Sequence, residues 1–65
     1  MKNRVAEYRY KRNMSISELS KRTGMSTTAI VNLENEYTSD ILLSHAISLS
    51  HVLKVDLYDL FYIKR

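Results

Sequence analysis

The sequence predicts an all-α fold: a compact domain of five short helices. Three observations carry that prediction. The chain has no proline and a single glycine, Gly24. Its apolar residues recur at three- and four-residue spacing, the period of a helix with one buried face. No run alternates long enough to argue a sheet. Residues 55–61 are the only candidate strand, and Asp56 and Asp59 suit helix spacing better. Sixty-five residues support one domain, 1–65, around one small core.

Asn3 caps a first helix that runs to about Arg12, with Val5 and Tyr8 facing inward at i,i+3 spacing. Asn13 is the exit. Ser15 opens a second helix and Glu18 follows three residues later, a capping-box pattern with Leu19 inward. Gly24 stops this helix because glycine takes a left-handed conformation without penalty. Ser26 caps a third helix to about Glu34. Ile30 and Leu33 point to its core side, and Met25 packs at the entrance. Residues 35–40, NEYTSD, form a polar connection. A fourth helix spans roughly Ile41 to Leu53, with Leu42, Ala46, Leu49 and Leu53 on one face. Asp56 caps a short fifth helix carrying Leu57, Leu60 and Phe61. The tail, 62–65, is expected to fray.

Composition narrows the function. There is no cysteine, hence no disulfide framework and no thiolate metal site. Packed helices, helped by a partner subunit, must supply the stability. This suits a reducing compartment. No apolar run approaches the roughly 18 residues of a membrane span, and no signal peptide is visible. A cytoplasmic protein with no membrane partner is the expectation. The net charge is only +3, but it is unevenly placed. Lys2, Arg4, Arg9, Lys11, Arg12, Lys21 and Arg22 precede Thr23, opposed there by Glu7 and Glu18 alone. From Thr23 to Ile63 the only basic residue is Lys54, against Glu34, Glu36, Asp40, Asp56 and Asp59. One end is positive, which suits a polyanion gripped from one side; a plain solvated charge run is the other reading.

The third helix carries the sharpest signal. With Ile30 and Leu33 buried, it exposes Thr27, Thr28, Val31 and Asn32 as one patch. Hydroxyls bond base edges or phosphates, Thr and Val methyls pack on thymine methyls, and Asn makes two hydrogen bonds to an adenine edge. Ser26, Thr27 and Thr28 lie at the helix's positive end, where backbone N–H groups meet phosphate. Capping alone explains Ser26. It does not require two further threonines, which are poor helix formers.

Arg9, Met14, Ser15, Glu18, Leu19, Gly24, Met25, Ser26, Ile30, Leu33, Glu34 and Asn35 form one motif. The closing run, Val55 to Phe61 as V-D-L-Y-D-L-F, forms a second. In order and spacing these resemble the Cro/CI-type helix-turn-helix family, the Xre-like repressors of phages and bacterial operons. The resemblance covers residues 3–61, with the helix-turn-helix at about 15–34, and implies a lambda repressor-like fold. It implies a transcriptional regulator, usually a repressor, that binds double-stranded operator DNA as a homodimer. Thr27, Thr28, Val31 and Asn32 take the base-facing positions. Ser15, Ser17, Lys21, Arg22, Ser26, Asn35, Tyr37 and Thr38 fall to the phosphates. Arg9 and Glu34 match an internal ion pair that orients the reading helix.

Three departures from the family pattern stand out. Ile16 replaces the usual polar residue at the first position of the second helix, leaving Ser15 and Ser17 to compensate. Glu36 replaces a loop glycine and brings negative charge toward the phosphate track. No Arg, Lys or Gln lies on the groove face, so the commonest guanine contact is missing and an A·T-leaning site follows. These departures keep a second reading open: a protein-interaction module on the same scaffold, an antirepressor or a partner of a repressor.

Other candidates are thin. His45 and His51 are six residues apart and do not share a helix face, so no metal site is expected. His45 reads as a surface residue and His51 as a border of the core or of a subunit interface. No catalytic constellation is visible, and neither enzyme activity nor a cofactor is expected. Tyr8 reads as core. Tyr58 and Tyr62, with Ile63 and Leu43, suggest an apolar dimer surface. No ligand-sensing domain accompanies the reader, so regulation would come through concentration, degradation or a regulatory protein partner.

Overall fold

The computed structural model describes residues 1–64 and contains five helices among them: α1 Val5–Lys11, α2 Ile16–Thr23, α3 Thr27–Glu34, α4 Leu43–Leu53 and α5 Leu57–Leu60. None is long and apolar enough to cross a membrane. The core is Val5, Leu19, Met25, Ile30, Leu33, Ala46, Leu49, Leu53, Leu60 and Phe61. α2 packs against both α3 and α4, so α3 is backed by the centre of the domain.

Helix α1 starts later than its cap predicts. The N-cap position is Arg4, whose side chain makes no capping bond. Asn3 still serves the start, because its Oδ1 accepts the Val5 N–H at 3.0 Å. Its Nδ2 donates to the Leu33 carbonyl at 2.8 Å, which fastens α1 to the end of α3. Asn13 leaves the helix in a left-handed conformation, φ 55°. Tyr8 is half-buried rather than a full core residue, packed between the core and the Lys11 and Arg12 side chains.

The turn between α2 and α3 is built from side chains as much as from glycine. Ser15 Oγ accepts the Glu18 N–H at 3.0 Å. The Glu18 carboxylate does not return to complete the box; it pairs with Arg22 at 2.9 Å. Gly24 has φ 77°, and a Cβ placed there would meet nothing within 4 Å. Conformation, not space, therefore requires the glycine. Buried Thr23 donates to the Leu19 carbonyl at 2.8 Å and accepts the Met25 N–H at 3.3 Å. Ser20 Oγ donates to the Met25 carbonyl at 2.6 Å. Ser26 Oγ then caps α3 through the Ala29 N–H at 3.0 Å.

Helix α4 begins at Leu43, two residues past the expected start, and no side chain caps it. Leu42 is extended, with ψ 137°, and 64% exposed instead of inward. The extended entry turns Leu42 outward, and Ile41 packs on the core in its place. At the other end Lys54 is left-handed, and Arg12 donates to the carbonyls of Leu53 and Lys54 at 2.8 and 3.2 Å. Those carbonyls would otherwise lack intrahelical partners. Asp56 Oδ1 caps α5 through the Tyr58 N–H at 2.7 Å.

Tyr62 and Ile63 are anchored where fraying was expected. Ile63 N–H donates to the Tyr58 carbonyl at 2.8 Å, and the Tyr62 ring lies under Lys2 and Arg4 at 5.2 and 4.7 Å. Arg65 lies outside the described residues. The histidines exchange places: His45 is half-buried beside α3, whereas His51 is exposed.

Candidate nucleic-acid interface

Helix α3 and its C-cap show the solvent a stripe about two turns long. Thr28, Val31, Asn32 and Asn35 follow at i, i+3, i+4 and i+7, and all are exposed. Thr27 adjoins the stripe one turn before Val31. Ile30 and Leu33, on the opposite side, are fully buried. None of the exposed residues contributes to the core. Asn32 also borders a cleft of about 330 Å³, shared with Thr38, Asp40 and His45.

The residues assigned to phosphates flank this stripe. Ser15, Ser17, Lys21, Arg22 and Ser26 are exposed along α2 and the start of α3. Ser15 and Ser26 use an oxygen lone pair for capping, which leaves each hydroxyl proton free to donate. Arg22 is engaged by Glu18, so its charge is partly neutralised. Asn35 and Tyr37 are exposed beyond α3, and Thr38 is half-buried. The loop is held from behind: the Met1 amino group donates to the Thr38 carbonyl at 2.7 Å and to the Glu36 carbonyl at 3.3 Å. Glu36 sits at φ 63°, the backbone region that favours glycine.

Arg9 and Glu34 meet as a two-pronged pair, Nε to Oε2 at 2.7 Å and Nη2 to Oε1 at 3.1 Å. Arg9 Nη1 also donates to the Met14 carbonyl at 3.0 Å. One guanidinium thus joins α1, the residue before Ser15 and the last residue of α3. Its hydrogen bond to Glu34 holds the Arg9 pKa above its ordinary value, although burial works against the charged form. The Tyr10 ring stacks over the same guanidinium, 4.5 Å from its centroid to Cζ.

The suggested dimer residues fall into two groups. Leu43 and Ile63 line one apolar cleft of about 330 Å³ with Met1, Ile41, Ala46, Leu57 and Phe61. Tyr58 and Tyr62 are exposed but do not line that cleft, and Tyr62 is engaged by Lys2 and Arg4. The residues that sequence reasoning passed over are Tyr10, Arg12, Ser20 and Thr23. For Ser20 and Thr23 the available signal was small hydroxyl residues beside a helix-ending glycine. Arg12 gave none, because its partners lie about forty residues away.

Comparisons with known proteins agree with this architecture. The family model described as Helix-turn-helix matches residues 5–60. No curated protein matches the chain. Among solved structures the chain is similar to the master regulator for biofilm formation SinR, solved in complex with DNA. The identity is 24%, the match covers 85% of this chain and 87% of that one, and the TM-score is 0.79. That likeness shows the fold. Together, the matched family model, the glycine turn between α2 and α3 and the internal Arg9–Glu34 pair identify the chain as a member of the helix-turn-helix family, in its Cro/CI-type, Xre-like branch of DNA-binding transcriptional regulators.

Proposed function

We propose that this chain is a sequence-specific repressor that lays α3 in the major groove of double-stranded operator DNA and acts as a homodimer. One observation carries the reading. Thr28, Val31, Asn32 and Asn35 form an exposed stripe with no core role, on a helix fixed from behind by Arg9 and by the Ser20–Thr23–Gly24 turn. Thr27, Thr28, Val31 and Asn32 read bases. Ser15, Ser17, Lys21, Arg22, Ser26, Asn35, Tyr37 and Thr38 hold the backbone. SinR, a chain of the same fold, is seen with DNA, which supports the assignment. Ile16 is half-buried against the core and makes no polar contact at the start of α2. The stripe carries no Arg or Lys, so the preferred site is rich in A·T pairs.

Two copies meet through the apolar cleft of Leu43 and Ile63, with Tyr58 and Tyr62 at its margin. Selection of bound duplexes from a random pool tests the whole reading. It is expected to enrich a two-fold symmetric, A·T-rich site with half-sites about 34 Å apart. No enrichment over random DNA at low salt rejects specific binding, and a single unpaired half-site rejects the dimer.

The second reading, a module that binds a regulatory protein, draws on the same apolar cleft and on the acidic Glu36 and Asp40 in the loop after α3. A stable complex with a protein partner, formed without specific DNA binding, favours it.

A further inference from the structure

Every nitrogen of the Arg9 guanidinium already has a protein partner. Glu34 takes Nε and Nη2, the Met14 carbonyl takes Nη1, and the residue is 7% exposed. Its guanidinium nevertheless occupies a strategic place. On one side is the start of α2, with Ser15 and Ser17 exposed. On the other is the end of α3, with Asn35 and Tyr37 exposed beyond it. A DNA backbone that touches both sets must cross this junction. What it meets there is Tyr10, whose ring lies 4.5 Å from Arg9 Cζ and which is 69% exposed. A tyrosine so open to solvent is not placed by burial. Its ring covers a cation, and its hydroxyl has a proton to donate. Ile16, the nearest family position for a neutral donor, has none.

We infer, on the basis of the groove reading above, that Tyr10 is a DNA-backbone contact. Its hydroxyl donates to a phosphate oxygen at the edge between the start of α2 and the loop after α3. Its ring meanwhile shields the Arg9–Glu34 pair from water. The phenol is uncharged, so it adds affinity without displacing a counterion, and it contacts no base. Tyr10 therefore strengthens binding to every duplex equally and leaves the salt dependence unchanged.

The test compares the full chain with Tyr10→Phe, which keeps the ring over Arg9 and removes only the hydroxyl. Both are titrated against the selected duplex and a random duplex at several salt concentrations. They are then titrated against selected duplexes carrying one uncharged methylphosphonate at each backbone position in turn. Tyr10→Phe is expected to bind both duplexes about ten-fold more weakly, the loss expected for one hydrogen bond to a charged group. Its salt slope and thermal midpoint should match the wild type. One methylphosphonate per half-site should weaken the wild type but add nothing to the loss in Tyr10→Phe. Wild-type affinity in Tyr10→Phe, or a fall in affinity that tracks a fall in thermal midpoint with no position-specific effect, overturns the assignment of Tyr10 alone. A wild type that binds no duplex overturns the groove reading and this one together.

Discussion

Arg9 holds both carboxylate oxygens of Glu34, and the two side chains are only 8% and 10% exposed. Removing one partner leaves the other charge buried and unpaired, which costs about 3–5 kcal/mol. Glu34→Ala should therefore lower the urea unfolding midpoint severely, since a small domain has only about 5–15 kcal/mol in all. Arg9→Lys keeps the charge but loses the fork, and should recover part of the loss. The pH sign follows from the raised Arg9 pKa. A group raised on folding stabilises fully below its unfolded value, and that contribution disappears only as pH rises through the folded value. For an arginine this window lies in strong alkali. The stability difference between wild type and Arg9→Met should thus stay flat from about pH 6 to about pH 9. A difference that collapses within that range contradicts the assignment.

Glu36 occupies φ 63°, a conformation that costs an L-residue roughly 1–2 kcal/mol. Glycine avoids that cost but gives back part of the gain through its freer unfolded chain. Glu36→Gly should raise stability by about 0.5–1 kcal/mol and also tighten DNA binding, because a negative charge leaves the phosphate track. Glu36→Gln separates the effects: it should tighten binding with little change in stability. Equal thermal midpoints for Glu36→Gly and wild type argue against backbone strain at this position.

Much of the fold is legible in the sequence. Ser15, Gly24, Ser26 and Asp56 do what their local chemistry dictates, because caps and left-handed exits depend on neighbours a few residues away. The start of α4 was not legible. Leu42 has the right spacing for a buried face, but no capping residue fixes the helix entry, and tertiary packing chose Ile41 instead. The Arg9–Glu34 contact was reachable only through the family resemblance, since a pair twenty-five residues apart leaves no periodic trace. Glu18 stands three residues after Ser15 and four before Arg22, so its position suits a capping box and an i,i+4 pair alike, and the carboxylate takes Arg22.

That pair makes a prediction of its own. Glu18 and Arg22 are 44% and 56% exposed, so their bond stabilises the fold by no more than about 0.3–0.5 kcal/mol. Glu18→Gln should barely move the thermal midpoint. It should free the Arg22 guanidinium for the DNA backbone, tighten binding at low salt and steepen the salt dependence by about one phosphate's worth. An unchanged salt slope means that Arg22 does not reach phosphate.

Helix α3 allows reading and gripping to be separated by substitution. Thr28 and Asn32 lie exposed on the stripe and are not core residues, so replacing either by alanine should leave stability nearly unchanged. Each loss should reduce discrimination at one base position by about 1–3 kcal/mol while affinity for random DNA holds. Lys21→Ala should do the reverse. It removes a charge without altering any base contact, so all duplexes should weaken together and the salt slope should fall by about one. Competition titrations of each variant with matched and single-mismatch duplexes measure both quantities. If Thr28→Ala, Asn32→Ala and Lys21→Ala shift every duplex alike, α3 grips the backbone without reading bases.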